Sequence, residues 1–215
     1  MASVVDIANL ALAHLGDDAN VASINPPEGS AQAEHCARFY PVARDALLEM
    51  HDWTFATRRA TLKALNKDTF NWDYAYAYPS GALRILTVLP AEASPEDDGE
   101  EFETDTDTDG TALIRSNLDD ASVRYTISVS DTTKFPPLFT SALTWLLASY
   151  LAGPVVKGDA GRAEAKRCMM MFQAFLAQAR ISDANQRKKT PTHTPEWIEL
   201  RGAANPYLFD GKITR

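Results

Sequence analysis

The spacing of apolar residues changes twice along this chain, and that change constrains the fold more than any other feature. Near the start, and again after residue 137, apolar residues recur every three or four positions, as on one face of an α-helix. Between these regions the apolar segments are short, β-branched or aromatic, and Pro, Gly, Asn and Asp separate them. The pattern therefore predicts an α+β fold with helices on both sides of a β-rich segment.

Four helices follow from the helical spacing. The third should be central and buried, because its apolar residues cover more than one face. The predicted helices are Ser3 to Leu15, Ser30 to about Met50, Pro137 to a stop at Gly153-Pro154, and about Asp159 to Asn185. The inward stripe of the last helix is predicted to be Ala165, Cys168, Met169, Phe172, Leu176 and Ala179.

The middle of the chain carries five short segments typical of a small antiparallel sheet. They are Thr61 to Leu65, Tyr74 to Tyr78, Leu83 to Leu89, Ala112 to Arg115, and Val123 to Val129. Directly before them, Trp53 and Phe55 follow the second helix closely, which indicates a corner of the core.

Charge is concentrated in one stretch of the chain. Between Glu92 and Asp109 there are ten acidic residues and no basic one. Without those ten the net charge of −8 would become +2, so the remainder is nearly neutral. We expect this stretch to form an exposed loop between two strands.

The last thirty residues lose all periodicity and contain three prolines. Such a segment cannot close a core of its own, and we expect it to order on a partner. Large apolar side chains recur within it, and buried aromatic residues dominate the energetics of interfaces. The predicted partner anchors are Trp197, Ile198, Tyr207, Leu208 and Phe209.

These patterns divide the chain into three parts. Residues 1–60 and 135–185 are predicted to form a helical bundle body, and residues 61–134 a β-rich insert with the acidic loop at 92–109. Residues 186–215 form the extended C-terminal tail. We expect no membrane span and no signal peptide. The two cysteines, Cys36 and Cys168, lie within helical patterns and are expected to be buried free thiols.

One short motif is similar to the start of a calcium-binding loop. Asp105, Asp107 and Asp109 alternate before a glycine, which could direct oxygen ligands toward one ion. The position where such loops supply a bidentate Glu is Ser116, so an acidic β-hairpin turn is the preferred interpretation.

No other motif predicts chemistry strongly. The four histidines lack the spacing of metal ligands, and neither a nucleophile elbow nor a phosphate-binding glycine loop is present. Two carboxylates would suffice for a glycan hydrolase, but sequence does not show their separation. We therefore predict no enzyme activity, no cofactor and no metal, with a glycan hydrolase as the alternative. Sequence-specific DNA binding is not expected, because the chain is acidic overall.

Several segments, in their order along the chain, resemble the tail tubular protein A family, the head-to-tail adaptor of short-tailed phages. The resemblance covers about residues 3 to 152. The segments that carry it are Ile7 to Asp17, Tyr40 to Leu48, His51 to Ala56, Trp72 to Pro79, Leu83 to Ile85, Val123 to Tyr125, Phe135 to Phe139, Ala142-Leu143 and Leu147-Ala148. Family members usually have a short hairpin where this chain has residues 92–109, and the tail matches no family motif.

The resemblance implies a structural subunit of the virion neck, assembled in the host cytoplasm. Its copies would form a twelve-fold ring, a dodecamer, between the portal protein and the tail nozzle protein. Double-stranded DNA would pass through the lumen without sequence-specific binding. Some family members are credited with activity on cell-wall or capsular glycans, which is the source of the hydrolase alternative.

Overall fold

The computed structural model describes residues 2–18, 20–93 and 99–186, which form four α-helices and two small antiparallel sheets. The helices are α1 (Val4–His14), α2 (Ala31–Glu49), α3 (Pro137–Val156) and α4 (Gly158–Ala184). The strands are β1 (Thr57–Thr61), β2 (Tyr74–Ala77), β3 (Ala82–Leu89), β4 (Phe102–Thr106), β5 (Ala112–Ser116) and β6 (Ser122–Ile127). Short 3₁₀ turns at Thr54–Ala56 and Thr132–Lys134 lead into and out of the β region. The predicted α+β fold is confirmed.

Each sheet contains three strands. In the first sheet the order is β1-β6-β3, and in the second it is β2-β5-β4. A separate small core lies between them and includes Leu62, Tyr76, Val88, Ile114 and Val123. The β region therefore packs around its own apolar residues.

Two predictions about the β region were wrong. The first strand is Thr57–Thr61 rather than Thr61 to Leu65, and within the predicted segment Ala64 forms an isolated antiparallel bridge to Tyr76. The predicted loop at 92–109 contains strand β4, which alternates Phe102, Thr104 and Thr106 with acidic residues. Both strands lie at sheet edges, where little side-chain burial is needed, so their apolar signal is weak.

The predicted end of the third helix was also wrong. Helix α3 continues through Gly153 and Pro154 to Val156. Proline removes a single backbone hydrogen bond, and near the end of a long helix this loss does not stop the last turn. The chain instead reverses at Lys157 and Gly158, which both have φ +61°.

The helical core depends on a cluster of aromatic rings. Phe139, at the start of α3, is fully buried, and its ring centroid lies 5.0 Å from Trp53, 5.0 Å from Phe55 and 4.8 Å from Phe135. The Trp53 indole nitrogen donates a hydrogen bond of 2.9 Å to the carbonyl of Leu47. The core corner predicted behind the second helix is confirmed. Both cysteines are buried free thiols, as predicted.

Helix α3 is the central element of the body and packs against α1, α2 and α4. It is also long and apolar enough to cross a membrane by length and composition alone, contrary to the expectation that no such stretch exists. Core helices pass the same test, and ten residues of α3 are buried against the other three helices. The packing of α3 therefore accounts for its composition.

The contact between α3 and α4 is close where the two helices meet. A Cβ added to Gly161 would lie 2.9 Å from the carbonyl oxygen of Ala152, whereas one added to Gly153 would meet nothing within 4 Å. Gly161 is therefore required by packing, and Gly153 is not.

We expect Gly161→Ala to lower the free energy of unfolding by about 1–3 kcal/mol, because α4 must move away from α3. The matched control is Gly153→Ala, for which the gain in helix propensity is opposed by the restriction on residues before proline, giving a net change below about 1 kcal/mol. Urea denaturation followed by circular dichroism measures both. Equal effects of the two substitutions would contradict the assigned contact.

Candidate interaction surfaces

The acidic hairpin is formed by β4, β5 and the turn that joins them. In this turn the Gly110 amide donates to the Asp107 carbonyl at 2.8 Å, and Gly110 has φ +78°. A glycine adopts that left-handed conformation without steric cost. The preferred interpretation of the motif, an acidic β-hairpin turn, is confirmed.

Cations from the same chain neutralise part of the hairpin. Lys67 Nζ lies 2.7 Å from an Asp107 carboxylate oxygen and 2.6 Å from an Asp109 oxygen. The buried guanidinium of Arg115 pairs with Asp105. Hydrogen bonds from these cations and from neighbouring backbone amides hold the pKa values of Asp105 and Asp107 below their usual range.

These contacts bear directly on the calcium hypothesis. The three aspartates divide between two cations instead of converging on one position. Across residues 2–18, 20–93 and 99–186, no group of three or more His, Cys, Asp or Glu side chains could hold a metal ion. We therefore do not propose a calcium site here.

A loop that connects β1 to β2 lies against the hairpin through its aromatic residues. The indole nitrogen of Trp72 donates to the Glu103 carboxylate at 2.9 Å. The ring of Phe70 lies 4.6 Å from the Arg115 guanidinium carbon, yet 76% of the residue is exposed. Phe70 also has φ +52°, an uncommon conformation for a bulky residue. Phe70 lies outside any periodic or family-like pattern, whereas Trp72 begins one of the family-like segments.

Helix α4 carries an exposed apolar stripe on the face opposite the core, here named the α4 stripe. Its members, Met170, Ala174, Ala177 and Ile181, recur at intervals of three and four residues and are all exposed. Met170 and Ile181 are each 64% exposed. From Cys168 to Ile181 the only charged residue is Arg180, whose guanidinium donates to the Met50 carbonyl at 2.7 Å. The stripe is therefore an uncharged apolar surface in contact with solvent.

The inward stripe of α4 was predicted largely correctly. Cys168, Phe172, Leu176 and Ala179 are buried, and Ala165 and Met169 are half-buried. The same 3.6-residue period also contains the α4 stripe, so a search of both faces of the helix would have found it.

A stack of rings joins the helices on another side of the body. The His14 and Trp145 rings lie 3.6 Å apart and nearly parallel. The Arg167 guanidinium lies 5.5 Å from the Trp145 ring centroid, and Arg167 donates to the His14 carbonyl at 2.7 Å. Burial, and then the charge of Arg167, lower the pKa of His14. At neutral pH this imidazole is therefore uncharged.

The body contains a small cavity next to the aromatic cluster. Its volume is ≈ 290 Å³, and its lining includes Trp53, Phe139, Ser182 and Asp183. Asp183 is buried and accepts hydrogen bonds from the Thr54 amide at 3.0 Å and the Thr54 hydroxyl at 3.2 Å. His51 Nε2 lies 3.3 Å from the same carboxylate, and burial is the main cause of the lowered pKa of His51. Asp183 thus caps the 3₁₀ turn that leads into β1.

The cavity bears on the glycan-hydrolase alternative, which needs two carboxylates on either side of a bond. Among the described residues that line it, Asp183 is the only carboxylate, and its oxygens already accept bonds from Thr54. The hydrogen bonds of Asp183 accordingly favour a structural role for this carboxylate.

The predicted partner anchors lie outside the described residues. These are Trp197, Ile198, Tyr207, Leu208 and Phe209, together with nearly all of the predicted tail at 186–215. Their role stays a prediction.

Comparison with known proteins adds no assignment. No protein-family model matches the chain, and no curated protein matches it.

The His14 stack predicts how stability changes with pH. Because the folded pKa of His14 is lowered, the unfolded chain takes up the proton first as pH falls through about 6.5. We expect the free energy of unfolding to decrease between pH 7.5 and 5.5, with His14 contributing part of that decrease.

The comparison variant is His14→Gln, which cannot titrate. Urea denaturation at both pH values should show a smaller decrease in the variant, with the remainder including the similarly shifted His51. An identical pH dependence in the two proteins would contradict the assignment.

Proposed function

We propose that this chain is a structural head-to-tail adaptor of a short-tailed phage virion. Its copies form a ring of twelve between the portal and the tail nozzle, and DNA passes through the lumen. The proposal is supported mainly by the agreement between the architecture expected from the resemblance and the fold of the described residues. The resemblance to tail tubular protein A also implies a helical bundle as the body together with a β-rich part, and the described residues form both parts.

The position of the family-like segments supports the same proposal. His51 to Ala56 and Phe135 to Phe139 supply the rings of the aromatic cluster. Segments that are distant in sequence therefore meet at one structural element.

The surfaces also suit an assembly subunit. Soluble proteins seldom expose contiguous apolar patches without a reason, and binding to another protein is the usual one. The α4 stripe is such a surface on the helical body. On the β region, the exposed ring of Phe70 lies against Arg115 of the acidic hairpin and is available as an anchor for a partner.

The charge of the chain is consistent with DNA passing by rather than being held. The segment from Glu100 to Asp109 contains six acidic residues, and the two cations Lys67 and Arg115 pair with three of them. Uncompensated carboxylates repel the phosphate backbone, so a surface of this kind would not hold DNA.

The first test is to mix the purified chain with portal rings and image the product by electron microscopy. We expect a ring of density with the portal's symmetry on one face of the portal. A chain ended after Asn185, which lacks Trp197, Tyr207 and Phe209, should keep the circular dichroism and melting temperature of the body but dock at least about tenfold more weakly. Undiminished docking of this truncated chain would contradict the role of the tail, and failure of the full chain to dock would contradict the proposed function.

The second test concerns the α4 stripe. Met170→Glu with Ile181→Glu should weaken docking or ring formation, because it places charge in a surface that assembly covers. Both side chains are exposed, so we expect the free energy of unfolding to change by less than about 1 kcal/mol. The matched control is Gln173→Glu with Gln178→Glu, which adds the same charge beside the stripe and should have a smaller effect. If both pairs assemble normally, the α4 stripe is not an assembly surface.

A further inference from the structure

Two strands have an outer edge that pairs with no other strand among the described residues. In the sheet β1-β6-β3 the outer edge of β1 is open, and in the sheet β2-β5-β4 the outer edge of β4 is open. The other two edges are partly covered: Leu65 donates to the carbonyl of Ala75 beside β2, and Glu100 donates to the carbonyl of Val88 beside β3. An open edge presents a row of backbone donors and acceptors that another strand can pair with.

The two open edges carry opposite charge. Strand β1 exposes Arg58 and Arg59, and the exposed Lys63 follows it. Arg58 donates to the carbonyls of Phe55 and Thr57, and Arg59 forms no ion pair with any described residue. Both guanidinium groups therefore keep their positive charge at the surface.

Strand β4 exposes four consecutive residues that include Glu103 and Asp105. The turn beyond it adds Asp107 and Asp109, and the two local cations leave this hairpin with an excess of negative charge. The strands also match in length, since each has five residues.

We propose that the β4 edge of one copy pairs with the β1 edge of a second copy, extending the sheet across the subunit boundary. This inference rests on the proposed function and names the contact between neighbours in the ring. Main-chain hydrogen bonds would join the strands, as in other strand additions, and the opposite charges would select the partner.

The charges also determine which kind of assembly can form. Pairing β4 with a second β4 would place carboxylates beside carboxylates, and pairing β1 with β1 would place arginines beside arginines, both of which are unfavourable. Only the unlike pair is attractive. Because such a contact joins two different surfaces, a pair of copies still has one open β1 edge and one open β4 edge. Repetition of the contact between successive copies therefore leads to a ring or a filament.

The test uses two variants that each add one cysteine at an exposed position, Thr61→Cys on β1 and Thr104→Cys on β4. The native cysteines should not compete, because they are buried and burial raises the pKa of Cys36 to about 11 and also raises that of Cys168. The variants are mixed, with and without portal rings, and treated with a short bismaleimide cross-linker. We expect a cross-linked heterodimer from the mixture and no cross-linked dimer from either variant alone. Its yield should fall in high salt, since exposed charges are then screened.

The matched control pairs Thr61→Cys with Ala163→Cys, an exposed position on α4, which should give no cross-link. In the Thr61→Cys partner, adding Arg58→Glu and Arg59→Glu should lower the heterodimer yield at least about tenfold, because like charges then meet. Adding Arg162→Glu instead reverses one charge on α4 and should leave the yield unchanged.

The outcomes separate this inference from the proposed function. Rings on the portal without a β1–β4 cross-link would overturn the strand pairing and leave the adaptor function standing. A cross-linked oligomer that never docks on the portal would support the strand pairing and overturn the adaptor function. A chain that neither self-associates nor docks would overturn both.

Discussion

The fold depends on the contact between the ring of Phe139 and the rings of Trp53, Phe55 and Phe135. It joins the start of α3 to the segment that follows α2, more than eighty residues earlier in the chain. Asp183, near the end of α4, links that helix to the same corner because it caps the 3₁₀ turn between Trp53 and β1. Because this corner fixes where the chain leaves the helical body, it also sets the position of β1, the first strand of the β region.

The body and the β region differ in how they are stabilised. The body buries a continuous set of apolar side chains around α3, so hydrophobic burial dominates there. The β region has a small core and two three-stranded sheets, and it supplements that core with polar contacts. Lys67 and Trp72 attach one loop to carboxylates of the acidic hairpin, and Arg115 of the hairpin donates to the carbonyl of Asp68 in that loop. Because polar contacts supplement its small core, the β region can carry an acidic, exposed surface.

The sequence predicted most of the helices, because burial of one helix face makes apolar residues recur every three or four positions. It also predicted the corner at Trp53, the buried cysteines and the hairpin turn at Asp107. It did not predict β1 or β4, since an edge strand buries few side chains and these two consist mainly of charged residues and threonine. The α4 stripe has a helical period and was open to prediction, whereas the exposed Phe70 has no pattern at all.

By itself the sequence determined the α+β class, the order of the four helices and of four of the six strands, and where the acidic charge lies. These properties follow from periodicity and composition, which depend only on residues that are close together in the sequence. Only the tertiary structure decided which cations neutralise the hairpin and which strands are left as open edges. Those outcomes depend on residues brought together from distant positions, such as Lys67 with Asp109 and Thr54 with Asp183, and no local pattern encodes such pairs.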